Sequence, residues 1–292
     1  MEEQKMNNVT IIGLGSMGAT LAGLLLKKGY QVTVWNRSIA KAEPLIKDGA
    51  IFATSVATAI SASEVSIICV SDYEASTHIL NTQEVKQALS GRVLIQLSTG
   101  SPQQARDHEL WAQENQVNYL DGAIAASPLQ MGNSEATIFT SGSLKAYQQS
   151  EHILKCLAGN VPYLGEQVSA ASSTDLAFLS YLFGSYLGFF HAARILESDG
   201  LRVDDFGALI AQVSQVVGEV IKYESQVIQT ETYDNPQSSI NMCMTTVELF
   251  MVQAQEANIN NEFPVFAQQL FKRVLEAGFG NEELGALIKV LR

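Results

Sequence analysis

The chain has 292 residues, of which 47% are hydrophobic and 16% are charged, a balance typical of one large globular domain or two ordinary ones. Its formal net charge is −12, which disfavours nucleic acid and membrane surfaces as partners and favours a small-molecule function. Cys69, Cys156 and Cys243 are far apart and odd in number, so we expect reduced thiols in a cytoplasmic protein.

Short β-like runs alternate with helical patterns in the first half of the chain. The predicted strands are 9–12, 31–35, 61–70, 92–97, 117–122 and 136–142, and the predicted helices are 16–28, 39–48, 82–89 and 102–115. Strands that are separated by helices predict βαβ units and a parallel sheet. The runs V-T-I-I and V-S-I-I-C-V are apolar on both faces, as buried parallel strands are.

A glycine-rich loop follows the first predicted strand. Gly13, Gly15 and Gly18 fit the pattern G-x-G-x-x-G, with a strand before it and a helix after it. Such glycines allow a tight turn, a close approach of backbone to a pyrophosphate, and close helix–strand packing. We therefore predict a Rossmann domain over residues 1–164. The predicted dinucleotide-binding residues of the loop are Gly13, Leu14, Gly15, Ser16, Met17 and Gly18.

The end of the second predicted strand distinguishes NAD from NADP. NAD-binding proteins tend to place Asp or Glu there to hold the ribose 2′-hydroxyl, whereas this chain has Asn36, Arg37 and Ser38, with Lys41 one helical turn later. Arginine and lysine attract a 2′-phosphate, and serine can donate a hydrogen bond to it. The pattern favours NADP(H), although a solvated basic turn would have the same composition.

The second half of the chain lacks strand signals. The predicted helices are 170–198, 204–228, 237–258, 264–277 and 281–291. The first of them would be ~40 Å long at the usual rise per residue, so we predict an interdomain helix over 165–198 and a helical substrate and dimerisation domain over 199–292. The apolar run 176–190 is too short for a membrane span and contains serines and glycines, so we expect a buried helix.

One acid, Asp175, lies near the start of this long apolar helix, and no other charge occurs between Glu166 and Arg194 if His191 is neutral. An acid after S-S-T could cap the helix, where the helix dipole favours an anion. It could also lie in a pocket and handle a proton. The pattern alone leaves both roles open, although Ser172, Ser173 and Thr174 already offer caps.

Several segments resemble the β-hydroxyacid dehydrogenases, a family that includes 3-hydroxyisobutyrate dehydrogenases and tartronate semialdehyde reductases. They are G-L-G-S-M-G, V-W-N-R-S, I-C-V-S-D and L-S-T-G-S-P. The resemblance covers the whole chain and implies a Rossmann domain, a long interdomain helix, a C-terminal helical bundle and an intertwined homodimer with shared active sites. It also implies that Val70 and Ser71 lie near the cofactor ribose and Ser98 near the nicotinamide.

The catalytic segments depart from the pattern of hydroxyacid dehydrogenases. Where that family has D-x-P-V-S-G-G for the substrate carboxylate, this chain has D-G-A-I-A-A-S over 121–127. Asp175 stands in register with the family's lysine, which polarises the substrate carbonyl or hydroxyl, and Phe178 stands in register with its asparagine. These departures resemble the imine reductases, which share the fold, use NADPH and reduce C=N bonds, typically of cyclic imines. The family often has His where this chain has Phe279.

An acid suits the chemistry of an imine. The reactive form is an iminium cation, which a lysine ammonium would repel and a carboxylate would stabilise, while a carboxylic acid could supply the proton. The resemblance therefore implies that Asp175 is the catalytic residue, as a proton donor, as an electrostatic anchor, or as both.

Further residues are predicted to line the substrate pocket. The predicted substrate-binding residues are Leu129, Met131, Phe178 and Tyr181, with Met242, Val247 and Phe250 from the partner subunit of a homodimer. Each could instead be ordinary core. Tyr233 lies in a predicted loop and is a candidate lid residue. The four histidines lack the spacing of a zinc site, so no metal is predicted.

The sequence is compatible with two other functions. The chain could be a reductase of small aldehydes or a 3-hydroxyacid dehydrogenase, although the missing lysine and the altered S-G-G segment disfavour both. A non-catalytic NADP-binding protein would also retain the glycine loop and could have a rebuilt substrate pocket.

Overall fold

The protein was analysed as a computed structural model, which describes residues 7–292. Two compact units divide the chain, a sheet unit that ends at Ser180 and a helical unit over Tyr181–Arg292. The prediction of an α/β half followed by a helical half is confirmed. The long predicted helix crosses the division between the units, and the domain boundaries at residues 164 and 198 stay predictions.

A seven-stranded sheet forms the centre of the sheet unit. Its strands are β1 (Asn8–Ile12), β2 (Gln31–Trp35), β3 (Ile51–Phe52), β4 (Val65–Ile68), β5 (Val93–Gln96), β6 (Asn118–Ala125) and β7 (Thr137–Gly142). They are arranged in the order β3-β2-β1-β4-β5-β6-β7. The first six pair in parallel, which is the dinucleotide-binding topology, and the direction of winding reverses between β1 and β4.

Helices cover both faces of this sheet. They are α1 (Ser16–Lys27), α2 (Glu43–Lys47), α3 (Val56–Ser61), α4 (Tyr73–Leu80), α5 (Gln83–Leu89), α6 (Pro102–Glu114) and α7 (Leu144–Leu157). Two apolar cores result, one of which includes Val9, Ile11 and Leu21, while the other includes Ile12, Ile68 and Leu94. Successive side chains of a strand point to opposite faces of the sheet, so β1 contributes to both cores.

The helical unit contains the remainder of a long helix, α8 (Ala170–Ser198), followed by α9 (Val203–Thr230), α10 (Ile240–Glu256) and α11 (Glu262–Glu276). A 3₁₀ segment, Leu284–Val290, ends the unit. The carboxylate of the buried Glu283 accepts hydrogen bonds from the backbone N–H groups of Ser238 and Leu284. This acid therefore ties the loop before α10 to the C-terminal segment.

Three predicted elements differ from the structure. β7 pairs antiparallel with β6 because no helix connects the two strands, and only antiparallel neighbours can be joined without a crossover. The segment 39–48 forms a 3₁₀ turn, Ile39–Lys41, before α2. The predicted helix 281–291 is 3₁₀ rather than α. In addition, α3, α4 and α7 occur where no helix was predicted.

The expectation of a buried helix over 176–190 is wrong for the single chain. Among the residues of α8, only Ala171, Ser172 and Asp175 are buried, although within the helical unit Phe189 stacks on Phe206 and His191 lies against Phe263. By length and composition alone, α8 is also the one helix among residues 7–292 that could cross a membrane. Its first turns pack against the sheet unit, because the backbone N–H of Ala171 donates to the Ser141 hydroxyl.

Candidate active site

A cavity of about 740 Å³ opens where the sheet reverses direction. Ligands of open α/β sheets bind at this position, outside the carboxyl ends of the strands. The cavity is lined by Gly13, Leu14, Gly15, Ser16, Met17, Gly18, Trp35, Asn36, Arg37, Lys41, Cys69, Val70, Ser71, Asp72, Glu74, Ala75, His78 and Ile79. The structure thus brings together eleven of the thirteen predicted cofactor residues, all except Ser38 and Ser98.

In the glycine loop, Gly13 and Gly18 have no room for a side chain, whereas Gly15 borders open space. Gly13 has a φ of +96°, and a Cβ there would overlap the carbonyl oxygen of Cys69. A Cβ at Gly18 would overlap the Gly13 carbonyl oxygen, so α1 packs directly on the end of β1. A Cβ at Gly15, by contrast, would meet no atom within 4 Å. The loop therefore leaves room for a group that approaches the backbone at Gly15.

The start of α1 is suited to an anion. Gly15 is the N-cap and offers no side-chain hydrogen bond, and the first turn has no acid. The first backbone N–H groups of the helix are left without intrahelical partners. Together with the helix dipole, they form a phosphate-binding position. The uncapped start and the open space at Gly15 fit the pyrophosphate of a dinucleotide.

Asn36 connects the glycine loop to the basic turn. Its Oδ1 accepts from the backbone N–H of Leu14 at 3.0 Å, and its Nδ2 donates to the Ser38 carbonyl at 2.9 Å. Arg37 and Lys41 line the same cavity, and neither forms an ion pair within residues 7–292. Both cations are thus free for a phosphate, which fits the 2′-phosphate of NADP(H).

Ser98 is buried, and its hydroxyl group bonds to the backbone of the loop after β4. Its hydroxyl accepts from the Val70 N–H at 3.0 Å, and its own N–H donates to Gln96 Oε1 at 2.9 Å. The side chain therefore fixes the loop after β4, where Val70 and Ser71 line the cavity. The next residue, Asp72, caps α4 through a hydrogen bond from Ala75 N–H at 2.7 Å.

Asp175 is a buried acid on the face of α8 that packs against the sheet. It is 5% exposed, and burial raises the pKa of its carboxyl group. It lies in the second turn of α8, so it is not the helix cap. No hydrogen bond or ion pair engages its carboxyl group from within the described part of the chain, which leaves the carboxyl oxygens available to a ligand.

A second buried acid, Asp121, lies near the end of β6. The hydroxyl groups of Tyr73 and Tyr119 both donate to its Oδ1, Tyr119 at 3.2 Å. Its Oδ2 is buried without a hydrogen-bond partner among residues 7–292. Burial is the main cause that raises the pKa of Asp121 to about 7, and the negative charge of Asp175 also contributes. The two acids are therefore close enough to influence each other.

The predicted substrate residues are distributed over both units. Phe178 and Tyr181 follow Asp175 on α8 and are 39% and 50% exposed, and Leu129 is 94% exposed. Met131 instead belongs to the core of the sheet unit, where its apolar side chain is favourably buried. That placement corrects the prediction that Met131 faces a substrate.

In the helical unit, Met242 is exposed, Phe250 is half-buried and Val247 is buried. Tyr233 is also buried, against Val227 and Ala286, with Lys289 above its ring. The prediction that Tyr233 is a lid residue is therefore wrong, because packing already occupies its side chain. Among residues 7–292, no group of three or more His, Cys, Asp or Glu side chains lies together in a geometry that could hold a metal ion.

Sequence reasoning missed several residues of this region. Glu74, Ala75, His78 and Ile79 line the cavity from α4, and Asp72 lines it from the N-cap of that helix, which was not predicted. Asp121 had a signal, since it is a lone acid in the otherwise apolar run Y-L-D-G-A-I. Its partner Tyr73 is 48 positions away in the sequence, and only the folded sheet brings the two together.

Comparison with known proteins assigns the family. The chain matches the NAD-binding domain of 6-phosphogluconate dehydrogenase over residues 8–165, and the C-terminal domain of NADPH-dependent reductive aminase-like proteins over residues 168–292. It is 30% identical over 289 residues to the NADPH-dependent reductive aminase of Aspergillus oryzae, covering 98% of this chain and 97% of that protein. The chain belongs to the NADPH-dependent imine reductases and reductive aminases.

Solved structures of this family have the same fold. An imine reductase from Myxococcus stipitatus in complex with NADP+ is 31% identical with a TM-score of 0.91, over 98% of this chain and 100% of that one. A reductive aminase from Aspergillus terreus, in complex with NADPH4, cyclohexanone and allyl amine, is 31% identical with a TM-score of 0.89, over 98% and 99%. Membership in the imine reductase family makes this chain an oxidoreductase that uses NADPH.

Proposed function

We propose that the protein reduces the C=N bond of cyclic imines and iminium ions to amines, with Asp175 as the catalytic residue. The observation that carries the proposal is the buried, unpartnered carboxyl group of Asp175 on α8. It stands where the resemblance to hydroxyacid dehydrogenases places a lysine. An acid at this position stabilises a substrate that becomes positively charged, whereas a lysine would repel it.

The cofactor would be held by the loop after β1 and by the basic turn after β2. Backbone N–H groups at Gly15 and Ser16 would bind the pyrophosphate, and Arg37 and Lys41 would bind the 2′-phosphate, with Ser38 as a further donor. Val70, held by Ser98, would support the nicotinamide half. Bound in this way, NADPH supplies a hydride.

Asp175 can serve the reaction in two protonation states. Because burial raises its pKa, the carboxylic acid persists to higher pH than it does in an exposed aspartate, and it can donate a proton to a neutral imine. The ionised form would stabilise an iminium cation instead. No hydrogen bond from a described residue competes for the carboxyl oxygens, so either form can act on the substrate.

The substrate surface would combine side chains of two subunits. Phe178, Tyr181 and Leu129 are exposed apolar groups in the sheet unit or next to it. We propose that Met242 and Phe250 of a second copy complete the pocket in a homodimer, in which Val247 would support that surface from below. Aromatic and apolar walls around one acid favour a bulky cation over a small hydroxyacid.

A homodimer is supported by the uncovered apolar surface of the long helices. On α8, Phe183, Leu187 and Phe190 are each at least 60% exposed, and on α9 Val216 is 66% exposed. Patches of this kind on a water-soluble chain mark interaction sites.

The free thiols of Cys69, Cys156 and Cys243 fit a reducing compartment, so we place the enzyme in the cytoplasm. Absence of nucleic-acid, membrane and metal partners stays a prediction.

Consumption of NADPH with different substrates tests this function. We expect turnover with 2-methyl-1-pyrroline, and none with succinic semialdehyde or methylglyoxal. Turnover of the aldehydes alone would establish a carbonyl reductase instead. If the protein binds NADPH but turns over none of these substrates, it would be a non-catalytic NADP-binding protein.

A further inference from the structure

The buried cluster around Asp121 lies next to the proposed catalytic residue but is not used by the chemistry described so far. Asp121 is fully buried, and both Tyr73 and Tyr119 donate to one of its oxygens. No cation pairs with it within the described residues. An unpaired buried acid is costly to ionise, and natural proteins keep such groups mostly where they serve a function.

Strand pairing and one serine hydroxyl connect Asp121 to the start of α8. Asp121 is the antiparallel partner of Ser141 on β7. The Ser141 hydroxyl accepts from Ala171 N–H at 2.8 Å and donates to the Val168 carbonyl at 2.7 Å. Asp175 lies four residues after Ala171, hence on the same face of the helix. Ser141 therefore connects the strand of Asp121 to the helix of Asp175, and the charge of Asp175 raises the pKa of Asp121.

We propose that Asp121 is a positioning residue that controls the charge of the Asp175 site. The two carboxyl groups titrate as a coupled pair. Asp121 retains its proton after Asp175 has lost its own, so the pair carries one negative charge until Asp121 ionises. Asp121 contacts neither cofactor nor substrate in this scheme. The inference rests on the proposed catalytic role of Asp175.

The order of titration follows from the surroundings of the two acids. Asp121 is more deeply buried than Asp175, and desolvation raises its pKa to about 7, beyond what the two phenol hydrogen bonds recover. Two like charges in one buried region raise the pKa of the group that ionises second. The pair therefore takes its second negative charge near neutral pH.

The other groups around Asp121 are uncharged or raise its pKa by less than Asp175 does. The titratable and polar neighbours are Tyr73 on α4, Tyr119 on β6, His108 and Glu109 on α6, Gln96 on β5 and Ser141 on β7. Burial lowers the pKa of His108, which stays uncharged at neutral pH. Glu109 also raises the pKa of Asp121, but by less than Asp175 does, which makes Glu109 a matched control.

The Tyr73 ring connects this cluster to the loop after β5. A Cβ at Gly100 would overlap that ring, so the loop from Ser98 to Ser101 packs directly on Tyr73. The Asp121 carboxyl group fixes the Tyr73 hydroxyl and hence the ring beneath the loop. A change in the charge of Asp121 therefore affects the position of the loop as well as the pKa of Asp175.

Titration of the carboxyl carbons by NMR tests the proposal without turnover. In ¹³C-aspartate-labelled protein, the Asp121 signal, identified by its loss in Asp121→Asn, should titrate near pH 7. Asp175→Asn should lower that midpoint by more than about 1 pH unit, because a like charge is removed. Tyr73→Phe should raise it, because a hydrogen bond to the carboxylate is lost. Glu109→Gln should lower it less than Asp175→Asn does.

The pH dependence of the reaction provides the second readout. In the wild type, kcat/KM for a cyclic imine should inflect at the Asp121 midpoint, and in Asp121→Asn that inflection should disappear while turnover persists. A purely structural role for Asp121 would lower the rate equally at every pH. An Asp121 midpoint near 4, or the same shift in Asp175→Asn and Glu109→Gln, would overturn the proposal. A protein that turns over no imine would refute the proposed function and leave the NMR titration interpretable.

Discussion

Arg37 and Lys41 line the cavity, and neither forms an ion pair with another described residue. In an acidic protein with a net charge of −12, such a local basic turn points to a specific anion. The neighbouring Asn36 is occupied by the Leu14 and Ser38 backbones. The preference for a 2′-phosphate is therefore assigned to Arg37 and Lys41, with the Ser38 hydroxyl as a further donor.

Replacing Arg37 by alanine should weaken NADPH selectively. Loss of a charge-assisted hydrogen bond to phosphate costs about 1.5–3 kcal/mol, so KM for NADPH should rise by about tenfold or more. KM for NADH should change little, since NADH lacks the phosphate. Steady-state kinetics with both cofactors measures this. Lys47→Ala, at an exposed position at the end of α2, is the control, and an unchanged cofactor preference in Arg37→Ala would refute the assignment.

Gly18 and Gly23 provide a matched pair on one helix. A Cβ at Gly18 would overlap the Gly13 carbonyl oxygen, whereas a Cβ at Gly23 meets only Leu45 at 4.0 Å. Gly18→Ala should therefore destabilise the fold by about 1–3 kcal/mol through overpacking. Gly23→Ala should be neutral or stabilising, because alanine favours a helix interior.

Thermal unfolding of the two glycine variants checks this expectation. The midpoint should fall in Gly18→Ala and stay equal or rise in Gly23→Ala. Equal midpoints in the two variants would show that α1 does not pack on β1 as closely as described.

Among the elements, the start of α8 is the one whose placement decides the chemistry. The Ser141 hydroxyl joins β7 to this helix through its bonds to Ala171 and Val168. Ser141→Ala should leave both backbone groups without partners at a buried site, at a cost of about 1–3 kcal/mol. Ser185→Ala, which removes an exposed hydroxyl from the same helix, should cost less than about 0.5 kcal/mol.

Urea denaturation measures the free energy of unfolding of both serine variants. A Ser141→Ala variant as stable as Ser185→Ala would mean that the hydroxyl does not anchor the helix.

Elements with strong local signals could be predicted from the sequence, and those that depend on distant contacts could not. The glycine pattern marks the start of α1 at Ser16, and the predicted helix over 16–28 ends one residue beyond the observed Lys27. The antiparallel β7 was missed because pairing direction depends on the connection, not on the strand's own composition. The glycine loop and the basic turn could be predicted because each directly follows a strand in the sequence. The Tyr73–Asp121 pair could not, because it depends on how distant strands align in the sheet.

For the whole molecule, the proposed homodimer accounts for the exposed apolar residues of α8 and α9. Val217 on α9 is 45% exposed, and a lysine there would introduce a charge into the proposed interface. Val217→Lys should shift the protein towards monomer, because burying an unpaired charge is unfavourable. Gln212→Lys introduces the same charge on a different side of the helix and should have less effect.

Light scattering coupled to size-exclusion chromatography measures the mass of these variants. We expect about twice the 31.7 kDa chain mass for the wild type at micromolar concentration. A wild-type mass of one chain would contradict the dimer and, with it, the contribution of Met242 and Phe250 from a second subunit.

Asp175→Asn is the most direct test of the account, with kcat measured on a neutral cyclic imine and on its N-methyl iminium ion. Removing the carboxyl group should lower kcat for the neutral imine by about 100-fold or more. The thermal midpoint should stay equal or rise, because a buried unpaired acid is lost. A smaller loss on the iminium ion would indicate proton donation, and an equal loss would indicate charge stabilisation. An unchanged kcat for both substrates would contradict the account.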